Sequence, residues 1–366
     1  MRLRSIPLRV RRLAVLAAVC VVPRIGFAQD APKEEKKPRD LVLLPIIAHT
    51  PETKLALGAA SIYFFRGPVS TRPSTVSAFV MYTQNRQVVT SLGAEVYSRD
   101  EGHKLEGNVS YIEFPDKFYG IGPDTPESNE EDYTPRSVNI MAGAQQRWHH
   151  HGHAGLRYEF STWDLIETEA GGMLAAGDLN GSQGGTTSGI GGLLNRDTRD
   201  NVYYSTRGSF CQVAGTYYPE WLGSDFDYGR FTLDLRRYFC FRGRHVVALQ
   251  AVGVGTGGDT PVQSLAALGG SEIMRGYYQG RYRDRYSAVL QTEYRVRVWW
   301  RFGLVAFAGI GDVAHSPAGF ELDHFRYSAG GGIRFLISKQ EGMNLRLDSA
   351  VGEDTSGFYI TLGEAF

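Results

Sequence analysis

The sequence predicts an all-β protein, a transmembrane antiparallel β-barrel of about 16 strands. Three observations predict it. Beyond an export-type leader, no stretch is apolar enough for a spanning helix, and without helices only a closed barrel satisfies every backbone polar group in lipid. Segment after segment alternates apolar and polar residues with period two. The connections between segments sort into a short set and a long set. Composition agrees, because 44 Gly, 20 Tyr and 19 Phe suit strands whose faces alternate between lipid and water.

Residues 1–28 read as a signal peptide. Arg2, Arg4, Arg9, Arg11 and Arg12 form a basic region, Leu13 to Val22 an apolar run, and Gly26-Phe27-Ala28 a small-residue cleavage site. The apolar run is shorter than the roughly 20 residues that span a bilayer. The flanks of Arg11-Arg12 fit a twin-arginine signal poorly, and Val19 is large for the position before a lipidated cysteine at Cys20. Residues 29–40 form a short charged linker, and 41–366 the barrel. Six of the 39 basic residues precede Gln29 and no acidic one does, which leaves 33 basic against 39 acidic residues after cleavage. That net charge of −6 argues against a nucleic-acid binder.

Turn signals divide the barrel into strands near 41–49, 53–66, 74–84, 87–98, 103–114, 135–148, 152–164, 187–197, 207–218, 226–240, 244–256, 282–298, 301–313, 325–337, 342–352 and 357–366. An even count suits bacterial barrels. Between 288 and 298, one face collects Ala288, Leu290, Tyr294, Val296 and Val298 and the other Gln291, Glu293, Arg295 and Arg297. Charges on one face alone mark a strand between lipid and a wet lumen. Phe231, Leu233 and Leu235 oppose Thr232, Asp234 and Arg236 in the same way, and Met343, Leu345 and Leu347 oppose Asn344, Arg346 and Asp348. A soluble antiparallel sandwich also alternates; the leader and the terminal aromatic Phe366 favour the barrel. Short connections at 99–102, 149–151, 241–243, 299–300 and 338–342 are expected in the periplasm, and long ones at 115–134, 165–186 and 257–281 outside the cell. The expected location is therefore a Gram-negative outer membrane.

Asn195-Arg196-Asp197-Thr198-Arg199-Asp200-Asn201, with Gly208 following, and Gly269-Gly270…Arg275-Gly276-Tyr277 stand in this order in the chain. Together they resemble the outer-membrane assembly superfamily that includes BamA and TamA, the bacterial surface antigen domains. The resemblance covers about residues 41–366. It implies that Asp197, Arg199, Asp200, Asn201 and Gly208 form a periplasmic turn motif. It also implies that Gly269, Gly270, Arg275, Gly276 and Tyr277 belong to a loop entering the barrel, and that Glu293 and Asp312 match the acidic wall positions that receive the arginine. The implied role is insertion or passage of protein or lipid at the outer membrane. Its implied partners are outer-membrane lipid and lipopolysaccharide, the barrel assembly machinery during biogenesis, and a protein or lipid client. Assembly-type relatives carry periplasmic POTRA domains, for which residues 29–40 are far too short; this puts client handling in question.

The loop chemistry also follows from the residues. An arginine inside a lumen is costly unless its fork meets carboxylates. Alternation puts Glu293 on the polar face, and Asp312 joins it if Val305 and Phe307 point to lipid. The arrangement reads equally as a latch that sets the state of the lumen and as a static anchor for a plug. Pro45 within the first strand removes one ladder donor, either weakening the seam or marking a ragged strand start. Phe358, Ile360, Leu362 and Phe366 are expected on one face of the last strand, with Glu364 interrupting it.

Other signals point nowhere specific. Gly253-Val254-Gly255-Thr256-Gly257-Gly258 matches a dinucleotide fingerprint but lacks the helix that must follow. His149 to His151 and His153 fill a predicted exposed turn, and strand parity separates Cys211 from Cys240. No cofactor, metal or catalytic residue is expected. The alternative to an insertion role is a passive pore or a structural surface barrel.

Overall fold

The computed structural model describes residues 40–50, 54–66, 72–339 and 341–366. The expected signal peptide and most of the expected linker lie outside the described residues. Nineteen strands follow in chain order among them. These are β1 (Asp40–Thr50), β2 (Lys54–Phe65), β3 (Ser74–Thr83), β4 (Val88–Tyr97), β5 (His103–Glu113), β6 (Asp116–Phe118), β7 (Glu131–His149), β8 (Gly152–Thr168), β9 (Gly185–Asp197) and β10 (Gly208–Tyr218). Then come β11 (Tyr228–Phe241), β12 (His245–Gly258), β13 (Ala266–Leu268), β14 (Tyr282–Asp284), β15 (Tyr286–Trp299), β16 (Phe302–Ala314), β17 (Arg326–Ser338), β18 (Met343–Gly352) and β19 (Thr355–Leu362). Setting aside the three-residue strands β6, β13 and β14 leaves 16 long ones, as the alternation predicts.

Each long strand pairs antiparallel with its neighbour in sequence, β12 reaching β15 across a long loop. Period-two patterning explains the sheet's two faces. Leu290, Tyr294 and Val298 are exposed outward while Gln291, Glu293 and Arg295 are buried on the inner face. Such a surface, with Leu41, Leu43, Leu57, Val80, Leu92, Leu156 and Phe231 also outward, presents leucine and aromatic side chains to lipid. The inner face is filled by charged and hydrogen-bonding residues.

Two features depart from the expected closed barrel. Among the described residues no ladder joins β1 to β19. The chain also leaves β19 at Leu362, four residues early, so Phe366 is not on the lipid face of the last strand. It is 4% exposed and packs inside against Tyr238 and Ala248. Glu364 explains the turn inward: at the membrane face it would be an unpaired charge, whereas inside it accepts from Arg334 Nε at 2.7 Å and from Asn344 Nδ2 at 2.7 Å. At one mouth, side chains bridge the gap instead of a ladder. Arg66 makes a bidentate pair with Glu341 at 2.7 and 2.5 Å, and Val42, Phe64 and Met343 pack together.

The opposite end is capped by the long loops. Phe118, Tyr133, Leu174, Val262 and Leu265, from three separate connections, form one apolar cluster. Hydrogen bonds tie the loops to one another, with Gly122 N–H donating to Arg283 O at 2.9 Å and Arg281 Nη2 to Thr125 O at 2.9 Å.

Candidate functional site

The connection from β12 to β15 folds back on itself through the β13–β14 hairpin, and its tip, residues 269–281, descends into the lumen. Gly269, Gly270 and Gly276 all have positive φ. At Gly276 the requirement is also steric: φ is +111°, and a Cβ would lie 2.7 Å from the carbonyl carbon of Val351. The tip therefore lies against the wall backbone. Tyr359 Oη accepts from Gly276 N–H at 2.9 Å, Thr355 Oγ1 donates to Gly276 O at 3.0 Å, and Tyr277 Oη donates to Tyr327 O at 2.9 Å.

Arg275 is buried in this contact, 2% exposed. Its Nη1 donates to Asp348 Oδ2 at 2.5 Å, its Nη2 to Glu293 Oε1, and its guanidinium lies 3.5 Å from the Phe307 ring centre. Both carboxylates are shared. Glu293 Oε2 accepts from Arg295 Nε at 2.7 Å, and Asp348 Oδ1 from Arg334 Nη1 at 2.5 Å. Arg346 approaches Asp348 at 3.5 Å and donates to Ser271 O of the loop at 2.9 Å. The result is a buried network in which the loop arginine closes a ring of wall charges. Such charge-assisted bonds fix geometry as well as charge.

The structure brings Arg275 to Glu293 but not to Asp312. Register gives the reason. Phe307 lies opposite Glu293, and Val305 and Phe307 are buried on the lumenal face. Alternation from Phe307 carries Asp312 to the other face, where it pairs with Ala288 on the side of outward Leu290. There its Oδ1 accepts from Val313 N–H at 2.7 Å. Five residues at about 3.4 Å each also place it far up the strand from Phe307. Asp348 takes the expected place, with Phe307 as the stacking surface. Alternation put Asp348 on a polar face, but only strand order and stagger show that this face meets the loop.

The second motif assembles at the bridged mouth, between β9 and β10. Asp197 takes Arg199 through Nε and Nη2, both at 2.9 Å, and Arg72 at 3.3 Å. Asp200 Oδ1 accepts from the N–H groups of Thr206 at 2.8 Å and Arg207 at 3.1 Å. Asn201 Oδ1 caps Tyr203 and Tyr204 N–H, and its Nδ2 donates to Glu341 O at 2.9 Å. Gly208, at φ +99°, closes the turn. The turn is thus tied to the Arg66–Glu341 bridge. Beside it lies a polar cavity of about 370 Å³ lined by Arg72, Lys104, Arg199, Arg236, Glu95 and Glu364. Cys211 and Cys240 are free thiols.

The Omp85 superfamily domain matches residues 72–366. No curated protein matches the sequence. Among solved structures, BamA from Haemophilus ducreyi lacking POTRA domains 1–3 aligns with a TM-score of 0.56 at 12% identity, covering 90% of this chain and 70% of that one. CdiB from Acinetobacter baumannii aligns at 0.54 and 11%, and CdiB from Escherichia coli at 0.56 and 9%, each over 88% of this chain. The alignments span 59% and 61% of the two CdiB chains. At these identities the likeness is one of fold. The family match over residues 72–366, joined to a 16-long-strand sheet whose lumen holds an arginine loop, identifies the chain as an outer-membrane β-barrel of the Omp85 superfamily.

Proposed function

We propose that this barrel aids insertion or passage of a protein or lipid client at the outer membrane, with the 269–281 loop controlling its state. The observation that carries the reading is a lumen filled by a clamped loop beside a sheet whose first and last strands share no ladder among the described residues. A passive pore needs a continuous aqueous path, and here the loop tip and the loop cap lie across it. A seam held by one bidentate pair and a small apolar cluster opens at lower cost than a full ladder. On this reading the short-turn end faces the periplasm, the leader directs export, and the barrel assembly machinery and lipopolysaccharide are encountered during biogenesis. The chain acts without catalysis of its own.

The test is depletion in the native cell, followed by comparison of outer-membrane proteins and lipids, with complementation by the wild type or Arg275→Ala. Loss of a defined protein or lipid, restored by wild type and not by the variant, is expected. Unchanged membrane composition, together with steady conductance in planar bilayers, would replace this reading with a pore.

A further inference from the structure

Arginines crowd the wall beside the clamp. Arg275, Arg295, Arg334 and Arg346 meet the side-chain carboxylates of Glu293, Asp348 and Glu364, and Arg295 also donates to Phe366 O at the end of the chain. Arg297 and Arg301 stand next to them with no carboxylate partner among the described residues. Arg297 lies 4.6 Å from the Tyr204 ring centre, and Arg301 Nη1 donates to Leu336 O and Ile337 O at 2.9 and 3.1 Å. Arg297 is exposed and Arg301 half-buried, so the cost of burying a guanidinium falls on Arg295 and Arg334.

Their hydrogen bonding is incomplete. Arg295 gives Nε to Glu293 and Nη2 to Phe366 O, yet its buried Nη1 has no partner. Arg334 gives Nε to Glu364 and Nη1 to Asp348, yet its buried Nη2 has none, and Arg301 Nε is likewise unpartnered. Buried guanidinium nitrogens without acceptors are uncommon enough to ask what fills the space.

These arginines border a space of their own. A cavity of about 50 Å³ is lined by Arg295, Arg297, Arg301, Arg334 and Asn344 together with Gly303 and aromatic and aliphatic residues such as Tyr204, Trp300 and Val305, with no carboxylate in the lining. Gly303 helps keep it open: a Cβ there would sit 3.1 Å from Val296 O and 3.5 Å from Arg334 Cβ. One water needs about 10–15 Å³ on this measure, so the space holds roughly three to five waters or one tetrahedral oxyanion.

We propose that this cavity is an anion site for a phosphate group, either free phosphate or the headgroup of an anionic phospholipid. Guanidinium forks match tetrahedral oxyanions in geometry and charge, and an anion here would give an acceptor to the buried Arg295 Nη1, Arg334 Nη2 and Arg301 Nε. The site borrows Arg295 and Arg334 from the wall of the clamp but does not include Arg275, and its failure would leave the proposed function untouched.

The experiment titrates inorganic phosphate into the refolded full chain in zwitterionic micelles, against chloride at equal ionic strength, reading heat of binding and unfolding midpoint. A parallel arm replaces part of the micelle with phosphatidylglycerol. Saturable phosphate binding at one site per chain, with a raised midpoint, is expected. In Arg297→Gln, whose exposed side chain makes misfolding no concern, affinity should fall roughly tenfold, the loss of one charge-assisted hydrogen bond. Gly303→Ala, which narrows the cavity, should weaken binding as well. Protection by phosphatidylglycerol that free phosphate competes away assigns the headgroup as the source; response to free phosphate alone assigns the ion. Equal effects of phosphate and chloride without phosphatidylglycerol protection, or identical responses of wild type and Arg297→Gln, would overturn the proposal.

Discussion

Replacing Arg275 and its wall partners one at a time separates a clamp from a set of incidental contacts, because the network is asymmetric. Arg275→Ala removes one cation but leaves Glu293 bonded to Arg295 and Asp348 bonded to Arg334, so neither carboxylate becomes an isolated charge. Breaking a buried pair typically costs about 3–5 kcal/mol, and this variant belongs at the low end, about 3 kcal/mol. Asp348→Ala is worse, because it strips Arg275, Arg334 and Arg346 of a shared counter-charge at once. We expect about 5 kcal/mol, the upper end of the same range. The assay is urea unfolding of the refolded barrel in micelles, followed by tryptophan fluorescence and by the gel shift between folded and heat-unfolded chain. A double-mutant cycle between positions 275 and 348 should give a coupling of about 1–3 kcal/mol. The same cycle between 275 and 312 should be additive within about 0.5 kcal/mol, since Asp312 lies on the other face of β16. Additivity at 275 and 348, or equal coupling to Asp312, would refute the assignment of the wall partners. A clamp that gates should also change conductance or client insertion when broken, which a static anchor does not require.

Three further outcomes are expected. Phe366→Ala should destabilise the barrel by about 3–5 kcal/mol, as for a packed aromatic; a change within about 0.5 kcal/mol would mean that the ring faces lipid after all. Gly276→Ala forces a Cβ against Val351 at positive φ and should cost about 1–3 kcal/mol while exposing residues 269–281 to protease; an unchanged digestion pattern would contradict the close wall contact. Tags within 115–134 or 165–186 should be labelled on intact cells and tags at 149–151 should not, and the reverse pattern would invert the barrel in the membrane.

The class of fold, the number of long strands and the two faces of most of them were legible in the residue pattern alone. Those properties are local: alternation in 288–298 places Glu293 inward and Leu290 outward whatever the neighbours are. It also marked Arg275 as a committed residue, since a glycine-framed arginine has few uses outside a tight contact. Which carboxylates it meets depends on how distant strands come together. Asp312 and Asp348 are both acids within strands, and the choice between them rests on a parity count from Phe307 and on the stagger of β15 through β18. The fate of Phe366 was equally hidden. An apolar residue at the end of an alternating strand reads as lipid-facing, and only the positions of Arg334, Asn344 and Tyr238, brought from three other strands, give Glu364 and Phe366 a better place inside. Pairing partners far apart in sequence are set by sheet closure and register, which no local pattern encodes.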